Sequence, residues 1–453
     1  MRSKKVSYPT YLFIIAFALF GHQISFGQSV LDKYIEEGIK SNQRFLQAQM
    51  ESNISVQENK IAKGQLYPDI FLSADYSISN GGRSIAIPLG DLLNPIHSSL
   101  NDINGNNQFP TDLENVDEQF LPNDFHDTKV RIVQPLLNTD IYYQYKASQA
   151  NISATKAREE SYKAQLKFEI TRAYYDYLKN LEQKKILDST QILLKELARV
   201  NLKFVKYHIA TRDIIYNSES QIFDVDAQIA TAEREVSTSK MYFNTLLNRN
   251  LNDSILVDSE MTTNFTLTGD LEQQALDNRS EIKAVQSSID SLQYHLKKDK
   301  SYLIPNINVI GDFGYQGYGY HFDGEQEYYM VNLRLTWPLF KGNRNRAEIK
   351  KTQFYRNQVE LQLQDLKNSI KLQVNSALLQ FAESQKVFDA QLAGLKSAEE
   401  NFKIVQSRYR ENLVPLVEFN EARINYTNTQ LKVSIAKYNI KIAEANLKRT
   451  LQL

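Results

Sequence analysis

The sequence contains no cysteine. This absence excludes disulfide bonds, thiolate metal sites and a lipid-bearing N-terminal cysteine, so the fold must be stabilised by packing or by oligomerisation. Excess charge is absent as well, because 53 Lys and Arg residues balance 53 Asp and Glu residues. A chain without net charge has no global electrostatic attraction to nucleic acid. We therefore expect no nucleic-acid partner.

Long apolar runs are also missing beyond the N-terminus. No segment after residue 27 approaches the ~18 consecutive apolar residues of a membrane-spanning helix. Residues 1–27 predict a signal peptide, with basic residues before an apolar core at 11–20 and the small residues Ser25 and Gly27 at cleavage-site spacing. The alternative, a membrane anchor, would need about 20 apolar residues. An exported chain without a spanning helix is periplasmic, secreted or part of an outer-membrane β-barrel.

Glycine and proline are rare in four long stretches that are rich in Gln, Lys, Glu, Ala and Leu, a composition that predicts helices. These stretches are 29–64, 139–249, 270–301 and 343–453. Breaks at 208–213 and 412–415 divide two of them into antiparallel hairpins, whose longest arms would reach about 100 Å. Apolar residues from Leu363 to Tyr409 recur at a mean spacing of about 3.5 residues, the coiled-coil period. Such helices must pack in a bundle, a coiled coil or a tubular wall.

Alternating apolar and polar residues predict four strands between the helices. The alternation is clearest at Ile70–Ile78 and Tyr329–Trp337, and 307–315 and 129–133 complete the set. About ten alternating residues are the pattern of a transmembrane β-strand with one face toward lipid and the other toward water. The alternative is a half-buried strand of a soluble sheet. Four such segments in an exported chain favour the barrel.

The chain is a tandem duplication. The run LYPDI at 66–70 corresponds to LIPNI at 303–307, and VRIVQPLL at 130–137 corresponds to LRLTWPLF at 333–340. Each half therefore has the order helix, strand, loop, strand, long helix, tip and returning helix. Proline stands where strand and helix meet, a position where its missing amide donor costs little.

Several motifs resemble those of the TolC-like outer-membrane efflux proteins. They are LYPDIFLSADYS, VRIVQPLLN, LIPNINVIGDFGY, LRLTWPLFKGNRNRAEI and RYRENLVPLVEFNEARINYTNTQ, in order from about residue 30 to the end. The resemblance implies a mainly α chain with a transmembrane β-barrel portion. Four strands per subunit would form a twelve-stranded barrel in a homotrimer, continued by a long α-helical coiled-coil tunnel. It also implies outer-membrane lipid, a periplasmic adaptor (membrane fusion) protein and an inner-membrane RND or ABC transporter as partners.

The resemblance and the duplication together divide the chain into segments. They are a signal peptide at 1–27, a periplasmic helix at 28–65, a first strand pair at 66–137 with an extracellular loop at 80–127, a first helical hairpin at 138–249, a linker and second periplasmic helix at 250–302, a second strand pair at 303–340 and a second hairpin at 341–453. The loop is rich in Asn, Gly, Pro and Asp, and a loop this long usually has a role. It either narrows the exit or is a mobile decoration.

Acidic residues near the hairpin tips are candidates for a gate at the periplasmic end. The family carries an acidic pair at the second tip, and Glu418 and Glu421 match it, three residues apart on one helical face. Glu219 corresponds to Glu421 in the first hairpin, where Tyr216 replaces the second acid. The alternative is a solvated helix face. Tips are also where adaptors would dock, which makes candidates of Tyr207, Ala210, Asp213, Tyr409, Asn412 and Pro415.

Charged residues at equivalent positions of the two strand pairs predict a belt around the channel lumen. They are Asp75 and Asp312 in the first strands, and Arg131 and Arg334 in the second. The alternative is ordinary solvation of a polar strand face.

Catalysis finds no support in the sequence. The six histidines are scattered, without metal-ligand spacing, and GYQGYG at 314–319 predicts a hairpin turn between strands and not a phosphate-binding loop. We expect no catalytic, cofactor or metal-binding residues. The predicted function is a passive exit duct for a tripartite efflux or type I secretion system. The alternative is a periplasmic coiled-coil adaptor or a structural scaffold.

Overall fold

The computed structural model describes residues 29–257 and 269–452. The predicted signal peptide lies outside these residues, as does part of the predicted linker at 250–302. The helices are α1 Val30–Ser41, α2 Gln43–Gly64, α3 Leu89–Asn104, α4 Thr139–Lys206, α5 Asp213–Leu246, α6 Leu271–Asn278, α7 Ser280–Lys300, α8 Arg344–Arg410 and α9 Leu416–Leu451. The strands are β1 Asp69–Ser77, β2 Ser84–Ile87, β3 Val116–Gln119, β4 Phe125–Leu137, β5 Asn306–Tyr318 and β6 Glu327–Thr336.

All four predicted helical stretches are helical, and both predicted hairpins are present. Helix α4 has 68 residues and α8 has 67, so each is about 100 Å long. Helix α4 begins where the Asn138 side chain accepts hydrogen bonds from the amides of Asp140 and Ile141. Among the residues described, no helix is apolar over enough of its length to cross a membrane.

Three apolar clusters hold the long helices along their length. The first joins α1, α2, α4 and α5 around Tyr34, Tyr174 and Phe243. The second lies near the hairpin tips and includes Leu194, Phe402 and Phe419. The third packs α6 and α7 against α8 and α9, with Ile282, Ile370 and Leu447 among its members. Because each cluster joins elements distant in the chain, side-chain packing and not helix propensity fixes the bundle.

Four strands form one antiparallel sheet in the order β1-β4-β5-β6. Strands β4 and β5 are longer than predicted, and the prediction of a hairpin turn at 314–319 is wrong. Strand β5 continues to Tyr318, and the turn to β6 follows it. Gly314 is required within the strand, because a Cβ there would overlap the Thr128 carbonyl oxygen of β4.

The predicted loop at 80–127 contains secondary structure of its own. Strands β2 and β3 pair antiparallel, and α3 lies between them in the chain. The loop is also shorter than predicted, since β4 already begins at Phe125. We call residues 78–124 the insertion. It lies at the end of the sheet opposite the long helices, because α2 enters β1 and α4 leaves β4 at the other end.

A buried guanidinium joins the second half of the bundle. Arg279, which is 4% exposed, donates to both carboxylate oxygens of Glu281, to Gln373 of α8 and to the Thr450 carbonyl of α9. Burial favours the neutral acid, but the bonds from Arg279 outweigh it and hold the pKa of Glu281 below its ordinary value. A depressed carboxyl pKa contributes stability above about pH 4, and this is lost as the pH falls through the folded-state pKa.

We expect Glu281→Gln to lower the free energy of unfolding by about 1–3 kcal/mol at pH 7, because Arg279 keeps only weaker partners. The loss should shrink as the pH falls below about 4, because the unfolded chain then binds a proton at Glu281 while the native ion pair still resists protonation. Thermal unfolding in detergent at pH 7 and pH 3 measures both effects. Glu51→Gln, on the exposed face of α2, is the control. Equal losses at both pH values would contradict the role given to the ion pair.

Candidate functional site

The two faces of the sheet differ sharply in polarity. One face, here called the apolar sheet face, carries large side chains that are exposed: Leu72 and Leu333 are each 70% exposed and Val331 is 64% exposed. The register places Leu72 beside Val130 of β4, and Leu333 beside Val309 of β5. A continuous exposed apolar face is covered by lipid or protein in the functional state.

The opposite face, here called the polar sheet face, carries all four predicted belt residues. Strand alternation and the register place Asp75, Arg131, Asp312 and Arg334 on this face. Arg131 lies directly opposite Asp312, and the guanidinium donates to both carboxylate oxygens at 2.7 and 2.8 Å. The carboxylate of Asp312 is buried by this contact.

The four belt residues do not form a single ring. Asp75 is paired with Asp127, four residues along β4 from Arg131, and Arg334 is paired with Asn308, four residues along β5 from Asp312. At about 3.3 Å per residue, three charged levels lie roughly 13 Å apart. Arg131 and Asp312 neutralise each other in their ion pair. The charges of the other two belt residues, Asp75 and Arg334, therefore lie toward the two ends of the sheet.

The two hairpin tips have the same backbone geometry. His208 and Asn412 both adopt the left-handed conformation, with φ of 60° and 56°. In each tip the following amide closes the turn: Ile209 N–H donates to Phe204 O, and Leu413 N–H donates to Arg408 O, both at 2.8 Å. The duplication therefore extends to the turn, where Asn and His tolerate a positive φ better than most residues.

The predicted gate acids are exposed. Glu418 lies in the first turn of α9, Glu421 one turn later, and Glu219 at the corresponding part of α5. No contact among the described residues joins these three carboxylates to one another. Their part in a gate stays a prediction.

The predicted docking residues divide into exposed and buried ones. Tyr207, Asp213, Asn412 and Pro415 are exposed and Ala210 is half-buried. Tyr409 is only 4% exposed and does not belong to a docking surface. Its ring packs on Phe419, because Tyr409 is the last member of the apolar stripe of α8.

Buried polar residues that the sequence does not indicate connect the helices near the tips. Tyr409 Oη donates to the Asn201 side-chain oxygen at 2.6 Å, and the Asn201 amide donates to Ser218 Oγ at 2.6 Å, which joins α8, α4 and α5. Asn201 and Ser218 are almost fully buried. Polar residues on the apolar face of a long helix are the signal that could identify them.

Two further hydrogen bonds connect the first hairpin to the second at the tip. The Asn420 amide of α9 donates to Asn217 of α5 at 3.1 Å, and Arg423 Nη2 donates to Gln221 Oε1 at 2.5 Å. Arg423 is 3% exposed, and burial lowers the pKa of its guanidinium, although Asp224 acts in the opposite direction. The charged guanidinium of Arg423 is thus held between the hairpins chiefly by the uncharged side-chain amide of Gln221.

No group of three or more potential metal ligands occurs within 29–257 and 269–452. The bonding at the tip and on the sheet can position charges and hold helices together. The polar sheet face is a surface along which a solute could move, and the hairpin tips are a place where such a path could be narrowed.

Comparison with known proteins gives a family match over part of the chain. Residues 271–451, which contain the second repeat, match the family model described as outer membrane efflux protein. No curated protein matches the chain by sequence.

Solved outer-membrane channels share the fold over 93% of this chain. OprN is 14% identical, with 93% of this chain and 89% of that chain covered and a TM-score of 0.77. CmeC of Campylobacter jejuni is 15% identical, with 93% and 85% covered and a TM-score of 0.76. The open state of MtrE of Neisseria gonorrhoeae is 15% identical, with 93% and 88% covered and a TM-score of 0.75.

These findings confirm the resemblance drawn from the motifs and the predicted helical and strand architecture, while the trimer and the closed twelve-stranded barrel stay predictions. The chain is mainly helical with antiparallel strands, in the arrangement found in outer membrane efflux proteins. The predicted outer-membrane location and efflux function agree with the description of the matched family. That family is one of efflux proteins and not of enzymes.

Proposed function

We propose that the protein is one subunit of a homotrimeric outer-membrane duct, through which substrates delivered by an inner-membrane pump leave the cell. The observation that carries the proposal is a sheet with one exposed apolar face and one polar face, joined directly to helices about 100 Å long. The apolar sheet face contacts lipid, and the polar sheet face lines the channel.

The edges of the sheet support a trimer. In the described chain β1 and β6 each pair with one neighbouring strand, so each presents unpaired backbone groups on its other side. Unpaired strand edges are not tolerated in lipid, where every backbone donor and acceptor needs a partner. If β6 of each subunit pairs with β1 of the next, three chains close a twelve-stranded barrel.

The helical hairpins prolong this barrel into the periplasm. A periplasmic adaptor docks at the exposed tip residues Tyr207, Asp213, Asn412 and Pro415, with Ala210 beside them, and connects the duct to an inner-membrane RND or ABC transporter. Glu418, Glu421 and Glu219 form acidic rings at the narrow end of the tunnel. The support is their exposure and their position at the tips.

Fractionation and electrophoresis test the proposal. The mature protein should be extracted from outer membranes only by detergent, should migrate as a trimer in unheated SDS samples and should form channels in planar bilayers. Recovery as a soluble periplasmic monomer would contradict it and favour the adaptor or scaffold alternative.

Reversing the charge of Arg334 should change the ion selectivity of the channel. Arg334 is exposed on the polar sheet face near the tunnel end of the strands. We expect cation-over-anion permeability in planar bilayers to rise from wild type to Arg334→Gln and again to Arg334→Glu, by about twofold at each step at low salt, because screening is then weakest. Equal permeability ratios in all three proteins would contradict a lumenal position for this residue.

A further inference from the structure

Helix α3 is attached by its polar side to a later segment of the insertion. Asn94 both donates to the Leu113 carbonyl and accepts from the Leu113 amide, at 2.9 Å each. Asn101 makes the same pair of bonds with Phe109, at 2.7 and 2.9 Å. Gly90 packs closely on the Leu113 backbone, so that a Cβ there would overlap the carbonyl. An amphipathic helix normally buries its apolar face, and this one does the reverse.

The other side of α3 carries an exposed apolar stripe. It consists of Leu89, Leu92, Ile96, Leu100 and Ile103, which are 41%, 62%, 54%, 37% and 79% exposed. The steps between them are three, four, four and three residues, a mean of 3.5. This is the seam of a coiled coil, the spacing that brings the same face of a helix against another helix over its whole length.

The charges of the insertion argue against an anionic lipid surface as the occupant of this stripe. The insertion contains seven Asp and Glu residues and a single basic residue, Arg83, and α3 itself has no Lys or Arg. Interfacial helices that bind anionic lipid carry Lys and Arg on their polar face. The two acids of α3, Asp91 and Asp102, lie away from the stripe, so they would not repel each other across a seam.

We propose that the α3 stripes of the three subunits pack against one another on the trimer axis and close the outer mouth of the channel. The proposal rests on the proposed trimer, and it assigns to the insertion a second interface that continues the strand-to-strand contact. The partner is a second copy of this chain, because an apolar stripe with heptad spacing can bury its side chains against an equivalent stripe. About 14 residues of seam, or roughly 20 Å, would be buried in each copy.

Disulfide cross-linking tests this packing directly, because the natural chain has no cysteine. Two cysteines form a disulfide only when their Cα atoms lie within about 7 Å. Ile96→Cys in outer-membrane trimers, treated with a mild oxidant, should give a covalent dimer from two of the three chains of each trimer. Ser98→Cys, exposed on the opposite side of α3, is the control and should stay monomeric.

The outcomes separate this proposal from the proposed function. If trimers form and Ile96→Cys stays monomeric, the packing of α3 is overturned while the channel stands. If the thiol introduced by Ile96→Cys in such trimers is also shielded from a water-soluble maleimide in intact membranes, lipid is the occupant and the proposal is again overturned. If the chain forms no trimer, both proposals fall.

Conductance tests the closure itself. Leu92→Ser/Ile96→Ser/Leu100→Ser removes the centre of the stripe, and single-channel conductance should rise by at least about twofold, as expected when an apolar constriction is made polar. Leu121→Ser, an exposed apolar residue of the insertion outside the stripe, is the control and should leave conductance unchanged. Unchanged conductance of the triple variant would overturn the closure.

Discussion

Leu333→Arg should prevent assembly of the channel in the outer membrane. Leu333 is 70% exposed on the apolar sheet face, midway between Tyr329 and Trp337, the aromatic residues that would mark the two membrane surfaces. An Arg at the middle of a barrel wall costs about 2–4 kcal/mol in lipid, and each trimer would contain three copies. We expect the unheated trimer band and the outer-membrane fraction to be lost, with the protein degraded or retained in the periplasm.

The control for this prediction is the preceding residue of the same strand. Asn332 lies on the polar sheet face, where an added Arg would be solvated in the lumen. Asn332→Arg should therefore assemble, with a measurable fall in cation permeability. Two variants that differ by one position have the same charge and nearly the same local sequence. Equal assembly of both would show that the apolar sheet face does not contact lipid.

The alternation that underlies this prediction is readable from the sequence, although the full strands are not. Strands β1 and β6 alternate clearly, and the pattern places them to within a few residues. The pattern does not predict the extension of β5, because glycine is common in turns and Gly314 and Gly317 therefore suggest that the strand has ended. Gly314 in fact allows β5 to approach the β4 backbone closely, a requirement that arises only once the strands are paired.

Helix α3 could not be predicted from composition. Asn, Asp and Ser are frequent in it, and Pro95 stands inside it, so its composition is typical of a loop although its apolar residues recur at helical spacing. The bonds of Asn94 and Asn101 to a later segment of the insertion hold it in place. These contacts are tertiary, and local propensity contains no information about them.

At the hairpin tip, the apolar periodicity of a helix predicts burial better than a residue's distance from the turn does. The place of Tyr409 near the turn predicts a docking residue, yet Tyr409 also completes the apolar stripe of α8, and the stripe decides its burial. The buried residues Asn201, Ser218 and Arg423 are different. Their types are common on exposed helix faces, so their place on the apolar face of a long helix is the one signal in the sequence, and the packing of the two hairpins shows that they are buried.

Arg423 makes the tip sensitive to a single side chain of the neighbouring hairpin. In the described chain its Nε has no hydrogen-bond partner, and Nη2 donates to Gln221 at 2.5 Å. Buried cations are stable only when they are paired and fully bonded. The contact therefore contributes to the association of α5 with α9 only as long as Gln221 accepts from the guanidinium.

Gln221→Leu should weaken the closed arrangement of the tip. A hydrogen bond to a charged group contributes about 1.5–3 kcal/mol, and its loss leaves Arg423 without this acceptor. If the tip is a two-state gate, open probability in planar bilayers should rise by about tenfold or more. Gln228→Leu, at an exposed position of α5, is the matched control and should leave open probability unchanged.

Gln221→Glu tests the same contact in the opposite direction. The carboxylate would bond Arg423 directly with an opposite charge, in addition to the influence of Asp224, so the two hairpins should associate more tightly, with a lower open probability and a higher thermal midpoint. The gain should disappear as the pH falls through the pKa of the new carboxyl group, since the protonated acid is again an uncharged acceptor. The two substitutions at position 221 thus predict shifts of opposite sign. If both raise open probability, the hairpins are held together by shape and packing, and the charge of Arg423 has no part in closing the tip.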